Sequence, residues 1–244
     1  MRYYFYWALI LGIALISGCK PQKSSDELHF STSAEYPPFE YDDHGELKGF
    51  DIDLARLVAK EMGKKAVFDN MQFSTVLPAV TSGQDDAAIA TLTITPERQK
   101  NVDFSMPYYF EGMAAVYPDN QPVTQSSQLA DKKIAVQLGS VMEIWVRQQF
   151  PGAQITALDN NNQAVEALIA GHVDVVLMDG AQGRVFSQKH KNLSFSIIAQ
   201  AKDGYGIAVK KGSPLTLQIN QALQRLTDKG EIKQLKAQWF KESL

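Results

Sequence analysis

Val173-Asp-Val-Val-Leu-Met178 is the stretch that indicates the fold class of this chain. Its β-branched and apolar residues are typical of a strand that is buried on both faces, as in parallel sheets covered by helices. A helix predicted over residues 162–170 precedes this strand and ends at Gly171. The alternation of helix and strand favours an α/β fold over a β-sandwich or a helical bundle.

The same alternation occurs twice along the chain. In the first half, strands predicted at 28–33, 66–68 and 86–91 are separated by two helices, and Asp51 is expected to cap the first of them. In the second half, strands predicted at 133–137, 154–158 and 173–178 are again separated by two helices. Two such halves predict two lobes, with residues 27–113 in lobe I and residues 114–203 in lobe II.

The C-terminal segment, residues 204–244, is extra to the second half, and its simplest placement is back on lobe I. The chain would then cross between the lobes twice, near residues 114–117 and 199–203. Two crossings make a hinge. The sequence therefore predicts two Rossmann-like lobes that are joined by a two-segment hinge and separated by a cleft.

The N-terminus has the features of an export signal. Arg2 is followed by an apolar run and then by Gly18 and Cys19, the only cysteine of the chain. This pattern resembles a bacterial lipobox, which implies a lipoprotein signal peptide at 1–18, a lipidated Cys19, a tether at 19–26 and a location at the extracytoplasmic face or in the periplasm. The alternative is a transmembrane helix, but the run is shorter than the ~20 residues that a span needs.

The composition excludes some partners. The chain has a net charge of −3, and loss of Arg2 with the signal leaves −4, which argues against nucleic acid. An apolar content of 45% is ordinary for a globular protein. We predict no cofactor and no metal site.

Residues 91–98, Thr-Leu-Thr-Ile-Thr-Pro-Glu-Arg, leave a predicted strand and begin a helical turn. The Thr-Pro pair is typical of a helix start and directs Arg98 back toward the carboxyl end of the strand, where open α/β sheets bind ligands. The guanidinium of Arg98 matches a carboxylate, and the hydroxyls of Thr91 and Thr93 lie beside it in sequence. The alternative is an exposed arginine in a turn.

The second half has a helix start suited to binding an anion and a carboxylate, both directly after predicted strands. Ser140 and Glu143 have the spacing of a capping box, and the amides of Val141 and Met142 at this helix start suit an anion. Asp179 directly follows the strand predicted at 173–178. Neither feature alone indicates a ligand site, because most capping boxes only stabilise the start of a helix and an aspartate after a strand often forms a turn.

Together these groups match a zwitterionic α-amino acid. Arg98 and the helix-start amides would take its carboxylate, and Asp179 would take its ammonium group. Tyr36, in a proline-stiffened loop, and Phe73, before a helix, offer aromatic walls for the ligand side chain. The alternative for both rings is core packing, more so for Phe73.

Seven motifs support a family resemblance over essentially the whole mature chain: YPPFEY at 36–41, GFDIDL at 49–54, TITPERQ at 93–99, DFSMPYY at 103–109, GS at 139–140, GHVD at 171–174 and KAQWF at 236–240. In this order they resemble the periplasmic substrate-binding proteins of polar amino acid ABC transporters. The arginine-binding members are the most similar, through SAEYPPF at 33–39 and DGAQGR at 179–184.

The resemblance implies a periplasmic binding protein fold of type II, whose lobes close on an amino acid that is handed to a membrane permease. It implies a monomeric binding protein rather than an enzyme. Arg98 matches the carboxylate-binding arginine, Thr93 the contact beside it, Thr91 and Asp179 the ammonium contacts, and Tyr36 and Phe73 the aromatic clamp. The full predicted binding set is Ser33, Tyr36, Phe73, Ala90, Thr91, Thr93, Arg98, Ser140, Val141, Met142 and Asp179.

Two departures from the family pattern bear on the ligand. Many members that bind basic amino acids have an acidic residue where this chain has Ser33, and many have threonine where it has Val141. Glu35 would point to the other face of an extended segment and does not replace Ser33. Arginine or another basic or polar amino acid is expected, and glutamine stays open.

The same fold also hosts an enzyme, cyclohexadienyl dehydratase, so fold alone does not decide function. An elimination needs a general acid or base in the cleft, and the nearby candidates are Glu35 and Asp179. A third alternative, the sensory lobe of a receptor, would normally be joined to a membrane span and a signalling domain.

Overall fold

The computed structural model describes residues 24–200 and 202–240. The predicted signal peptide, Cys19 and most of the tether lie outside the described residues. Within the described part, none of the helices combines the length and the apolar character that crossing a membrane requires.

Strands and helices alternate through the described residues as the sequence predicts. The strands are β1 (Glu27–Thr32), β2 (Glu35–Tyr36), β3 (Glu40–Asp43), β4 (Glu46–Lys48), β5 (Lys65–Asn70), β6 (Ala87–Ala88), β7 (Val102–Phe104), β8 (Met113–Pro118), β9 (Lys133–Gln137), β10 (Gln154–Leu158), β11 (Val175–Asp179), β12 (Leu193–Ala199) and β13 (Ala208–Lys210). The helices are α1 (Phe50–Glu61), α2 (Phe73–Ser82), α3 (Pro96–Gln99), α4 (Val141–Gln149), α5 (Asn161–Ile169), α6 (Gly180–Lys189), α7 (Leu215–Asp228) and α8 (Glu231–Trp239).

These strands form two five-stranded sheets and one small three-stranded sheet. The first sheet has the order β5-β1-β6-β13-β7, the second has the order β10-β9-β11-β8-β12, and β2, β3 and β4 form the small sheet. The central pairs β1–β5, β1–β6, β9–β10 and β9–β11 are parallel. Parallel pairs place the carboxyl ends of their strands at one edge, where ligands of open α/β sheets bind. The two-lobed α/β fold expected from the sequence is confirmed.

The chain passes between the two large sheets twice, after β7 and again before β13. Residues 114–117, expected near the first crossing, instead lie inside β8, where they pair with β11 and β12. Ala114, Ala115 and Val116 are fully buried, so these apolar residues belong to the sheet interior rather than to an exposed connection. The first crossing therefore precedes Met113.

The C-terminal helices pack on the first sheet's side of the molecule. Arg225 of α7 and Lys229, the residue after this helix, both pair with Glu61 at the end of α1, at 2.7 Å each. The ring of Phe240 lies 4.6 Å from that of Tyr109 and 5.0 Å from that of Phe39. These ring contacts hold the end of the described chain against lobe I, and aromatic pairs contribute roughly 0.5–1.5 kcal/mol each.

Candidate functional site

A small, narrow cavity lies between the two large sheets. Both lobes contribute to its walls. The lining residues are Tyr36, Phe73, Thr91, Thr93, Arg98, Gln137, Ser140, Val141, Met142, Asn161, Leu177, Met178 and Asp179. All of the predicted binding residues are in this set except Ser33 and Ala90.

Arg98 enters the cavity from the short helix α3. Thr95 caps this helix by accepting a hydrogen bond from the Arg98 amide, and Pro96 is its first residue, as expected. The guanidinium donates to the carbonyl of Thr93 at 3.0 Å and to that of Gly139, in lobe II, at 3.2 Å. It also lies 5.7 Å from the centre of the Phe73 ring. Burial lowers the pKa of Arg98 to about 10, opposed by the charge of Asp179, so the side chain stays cationic at neutral pH.

The start of α4 faces the same cavity. Ser140 caps this helix, its hydroxyl accepting from the Glu143 amide at 3.2 Å. The Glu143 carboxylate accepts from the Gly139 amide at 2.8 Å, one residue earlier than in the expected capping box. First-turn amides have no intrahelical acceptor, so the amides of Val141 and Met142 are available to an anion beside Arg98.

Asp179 lies at the carboxyl end of β11 and is 8% exposed. Its Oδ2 accepts a 2.5 Å hydrogen bond from the Tyr36 hydroxyl, and its amide donates to the same hydroxyl at 3.2 Å. Burial raises the pKa of Asp179 to about 6, although the hydrogen bond from Tyr36 and the charge of Arg98 oppose the shift. A cationic partner would therefore stabilise the ionised form of this carboxyl group.

Two buried carboxyl groups, those of Asp51 and Glu40, contact Thr91. Thr91 has a positive φ of 48°, a strained conformation for a β-branched residue. Its amide donates to Asp51 Oδ2 at 2.8 Å, and the Tyr108 hydroxyl donates to the same oxygen at 2.7 Å. Asp51 therefore does not cap α1, because Gly49 precedes the first helical residue and the Asp51 side chain is turned into the interior.

The second acid of this pair is Glu40, which is 1% exposed and lies 3.4 Å from the Thr91 hydroxyl. Burial, reinforced by the charge of Asp51, raises the pKa of Glu40 well above its usual range. Burial also raises the pKa of Asp51, to about 7. Asp51 thus holds the Thr91 amide and Glu40 accepts from the Thr91 hydroxyl, which fixes Thr91 at the cavity wall.

Ser33, Ala90 and Glu35 lie away from the cavity walls. Ser33 is buried just after β1, and Glu35 is exposed on the small sheet. The Ala90 side chain packs in the hydrophobic cluster around Val76 and Val80. A methyl group in that cluster reaches no ligand, which leaves only the Ala90 backbone near the site.

Four lining residues were not expected from the sequence: Gln137, Asn161, Leu177 and Met178. Leu177 and Met178 belong to the apolar strand β11, where core packing was their simplest role. Gln137 is the last residue of β9 and Asn161 the first of α5, places at the carboxyl edge of the second sheet. Because ligands of open α/β sheets bind at the carboxyl edge, this position would have identified Gln137 and Asn161 as candidates from the sequence.

The lobes touch across the cavity in this structure. Besides the bonds from Tyr36 to Asp179 and from Arg98 to Gly139, the Gln72 side chain donates to Asp159 at 3.2 Å. These contacts join residues of the first sheet's lobe to residues of the second, so the cleft is closed.

Residues 28–242 match the family described as bacterial extracellular solute-binding proteins, family 3. The chain belongs to this family. Among curated relatives of this family 3 protein, the arginine-binding extracellular protein ArtP of Bacillus subtilis (strain 168) is 32% identical over 248 residues, covering 96% of this chain and 97% of the relative. The expected family is thereby confirmed.

Solved structures agree with this assignment. An ancestral arginine-binding protein bound to arginine superposes on this family 3 protein with a TM-score of 0.84 at 36% identity, covering 88% of this chain and 98% of the other. An ancestral arginine-binding protein bound to glutamine gives a TM-score of 0.85 at 37% identity, covering 90% and 100%. The type II periplasmic binding protein fold expected from the sequence is the fold of this protein.

Proposed function

We propose that this protein binds an amino acid between its lobes and delivers it to an ABC transporter permease, with arginine or another basic or polar amino acid as the ligand. One observation supports this most strongly: a buried arginine and a buried aspartate from opposite lobes line a single cavity. Their charges suit the two ends of a zwitterion.

The ligand carboxylate would lie between the Arg98 guanidinium and the amides of Val141 and Met142. Hydrogen bonds to charged groups contribute about 1.5–3 kcal/mol each, and an arginine can present two parallel N–H groups to a carboxylate. The ammonium group would lie against Asp179 and the Thr91 hydroxyl. Tyr36 and Phe73 would flank the ligand side chain.

Closure would follow from ligand contacts to both lobes. A ligand favours one conformation only by its differential affinity for it. Because Arg98 lies in lobe I and Asp179 in lobe II, a ligand held by both stabilises the closed state. The permease would then receive a closed, loaded protein.

We favour binding over catalysis. Asp179 is the single carboxyl group among the described residues that line the cavity, and the Tyr36 hydroxyl already engages it. Elimination of water and carbon dioxide requires a positioned general acid or base, and an aspartate that pairs with the ligand ammonium group is poorly placed for that role.

We further propose that the protein is a monomer and is anchored to the membrane through a lipid on Cys19. The lipobox resemblance of the N-terminus supports this anchor, and its residues lie outside those described. Metabolic labelling with a fatty acid tests it: the wild type should be labelled and Cys19→Ser should not. Equal labelling of both would contradict the anchor.

A thermal-shift screen against the twenty amino acids, ornithine, citrulline and arogenate tests the proposed function. A ligand present at 100 times its Kd stabilises by about 2.7 kcal/mol, and each kcal/mol raises the Tm of a chain of this size by roughly 2–4 °C. A shift with arginine, lysine or glutamine supports the proposal. A shift with arogenate alone would favour the enzyme.

A further inference from the structure

The helix that follows Asp179 begins without a capping bond from that residue. Asp179 is the N-cap of α6 and has extended backbone geometry, yet its side chain accepts no hydrogen bond from the helix. An aspartate at this position normally accepts from an amide of the first helical turn. Here its carboxylate accepts from the Tyr36 hydroxyl at the cavity wall instead. The partial positive charge at the start of α6 is therefore left to another group.

Glu111 lies at this helix start, on the first connection between the lobes. The Gly180 amide donates to the carbonyl of Gly112 at 2.8 Å, and the Gly112 amide donates to Glu111 Oε1 at 3.0 Å. A β-carbon on Gly180 would lie 2.7 Å from Glu111 Oε1. The glycine thus allows the carboxylate to pack directly against the first residue of α6, where the helix dipole stabilises a negative charge.

The electrostatic surroundings of Glu111 agree with this placement. Burial raises the pKa of Glu111, and the backbone amides of Gly112 and Ala181 and the charge of Arg184 oppose the shift. Ala181 and Arg184 both belong to α6. The Arg184 guanidinium lies 5.7 Å from the centre of the Phe195 ring. The start of α6 therefore favours the ionised form of this glutamate.

The charge of Glu111 also acts on Asp179. Burial is the largest cause of the raised pKa of Asp179, and the negative charge of Glu111 adds to it, against the Tyr36 hydroxyl and the charge of Arg98. A second negative charge near Asp179 favours a cationic group at that carboxylate. The other titratable or charged side chains that act on these two carboxyl groups, or line the surface cavity beside them, are Arg184, Tyr109, Tyr205, Lys202 and Asp203.

Building on the proposed function, we infer that Glu111 is a positioning residue for the ligand ammonium group. Because Glu111 occupies the start of α6, the Asp179 side chain has no capping role and stays turned into the cavity. Glu111 and Gly112 belong to the segment that crosses between the lobes, so the same contacts tie Asp179 to the hinge. Glu111 does not line the ligand cavity, and it therefore acts on the ligand through Asp179.

A double-mutant cycle between Glu111→Gln and Asp179→Asn tests the inference, by titration calorimetry at pH 7.5 with L-arginine and L-glutamine. Glu111→Gln keeps the size of the side chain but removes its charge. We expect this variant to bind the preferred amino acid at least about fivefold more weakly than the wild type, and the double variant to bind no more weakly than Asp179→Asn alone. Glu166→Gln makes the same chemical change at an exposed position of α5 and should bind like the wild type.

The dependence of affinity on pH is a readout that a purely structural role of Glu111 would not move. Without the Glu111 charge the pKa of Asp179 is lower, so the loss of affinity in acid should begin at a lower pH in Glu111→Gln than in the wild type. An unchanged profile overturns the inference. So does wild-type affinity in a folded Glu111→Gln, or a fivefold loss that persists in the Asp179→Asn background, since Glu111 would then act by another route.

Glu111→Asp keeps the charge on a side chain that is one methylene shorter and should retain more affinity than Glu111→Gln; the reverse order overturns the inference. If circular dichroism shows that Glu111→Gln does not fold, Glu111→Asp takes its place in the cycle. Failure of the proposed function has a different signature, namely no binding of any amino acid to the wild type or wild-type affinity in Asp179→Asn, and the role of Glu111 would fail with it.

Discussion

The Tyr36 hydroxyl donates a 2.5 Å hydrogen bond to Asp179 Oδ2, although the two residues are 143 positions apart and belong to different lobes. The sequence suggested an aromatic wall for Tyr36 and an ammonium partner for Asp179. The structure adds a direct bond between them across the cleft. A ligand ammonium group would therefore join an existing contact between the lobes.

Tyr36→Phe should open the unliganded protein. The substitution keeps the ring but removes the hydroxyl that bonds to Asp179, and a bond to a charged group contributes about 1.5–3 kcal/mol. We expect a larger radius of gyration by small-angle X-ray scattering without ligand and the wild-type value with saturating ligand. Tyr41→Phe is the control, since this ring packs on Trp239 away from the cavity. Identical scattering of Tyr36→Phe and wild type would show that the hydroxyl does not hold the lobes together.

Arg98→Ala should weaken amino acid binding at least 100-fold, because it removes the cation and the fork that meets the carboxylate. Arg98→Lys should bind with an intermediate affinity, since lysine keeps the charge but lacks the planar fork. Titration calorimetry measures both, with circular dichroism to confirm folding. Wild-type affinity in a folded Arg98→Ala would contradict the carboxylate site.

Ligand affinity should fall as the pH drops below about 6. In the empty protein the pKa of Asp179 is about 6 because of burial, and a bound ammonium group would lower it. The bound form then holds fewer protons than the empty form, so acid favours release, by up to tenfold per pH unit. Asp179→Asn should bind more weakly at pH 7.5 and lose this dependence. Dissociation constants measured from pH 5 to 8 check this, and an unchanged slope in the variant would assign the effect to another group.

Asp51→Asn should flatten the dependence of stability on pH. Burial raises the pKa of Asp51 in the folded protein to about 7 from a usual value of 3.8. The folded state then binds more protons than the unfolded state between these values, so this group's contribution to stability is lost as the pH rises through about 7.

Thermal unfolding at pH 5, 6, 7 and 8 tests the Asp51 prediction. The wild-type Tm should fall from pH 6 to 8 by more than that of Asp51→Asn. Asp179 acts in the same direction in both proteins, since its pKa is also raised, to about 6, so the difference between the two curves reports Asp51 together with Glu40, whose pKa the Asp51 charge helps to raise. Parallel curves would contradict the prediction.

Local signals predicted the elements that position the site. The Ser140 cap, the Thr95-Pro96 start of α3 and the return of Arg98 toward its strand all depend on residues within a few positions of one another. Such contacts follow from capping rules and strand polarity. For this reason nine of the predicted binding residues line the cavity.

Contacts between distant segments could not be predicted in this way. Asp51 resembled an ordinary N-cap, and its bonds to Thr91 and Tyr108 depend on how α1 packs against segments 40 and 57 positions away. Asn161 and Gln182 are common residue types, and the hydrogen bond between them joins segments that are 21 positions apart. Ser33 is the last residue of a predicted strand, a typical place for a site residue, yet the chain turns into β2 and leaves it off the cavity wall.

Calorimetric titration of the wild-type protein with L-arginine and with agmatine, which is arginine without its carboxylate, tests the central claim most directly for a basic ligand, and L-glutamine with 4-aminobutanamide forms the matching pair for a neutral one. We predict saturable binding of at least one of the two amino acids at one site per chain, and no measurable binding of its decarboxylated partner at the same concentration. Binding of the decarboxylated compound as tight as that of its amino acid, or no binding of any of the four compounds, would contradict a site built from Arg98 and Asp179 for a zwitterionic amino acid.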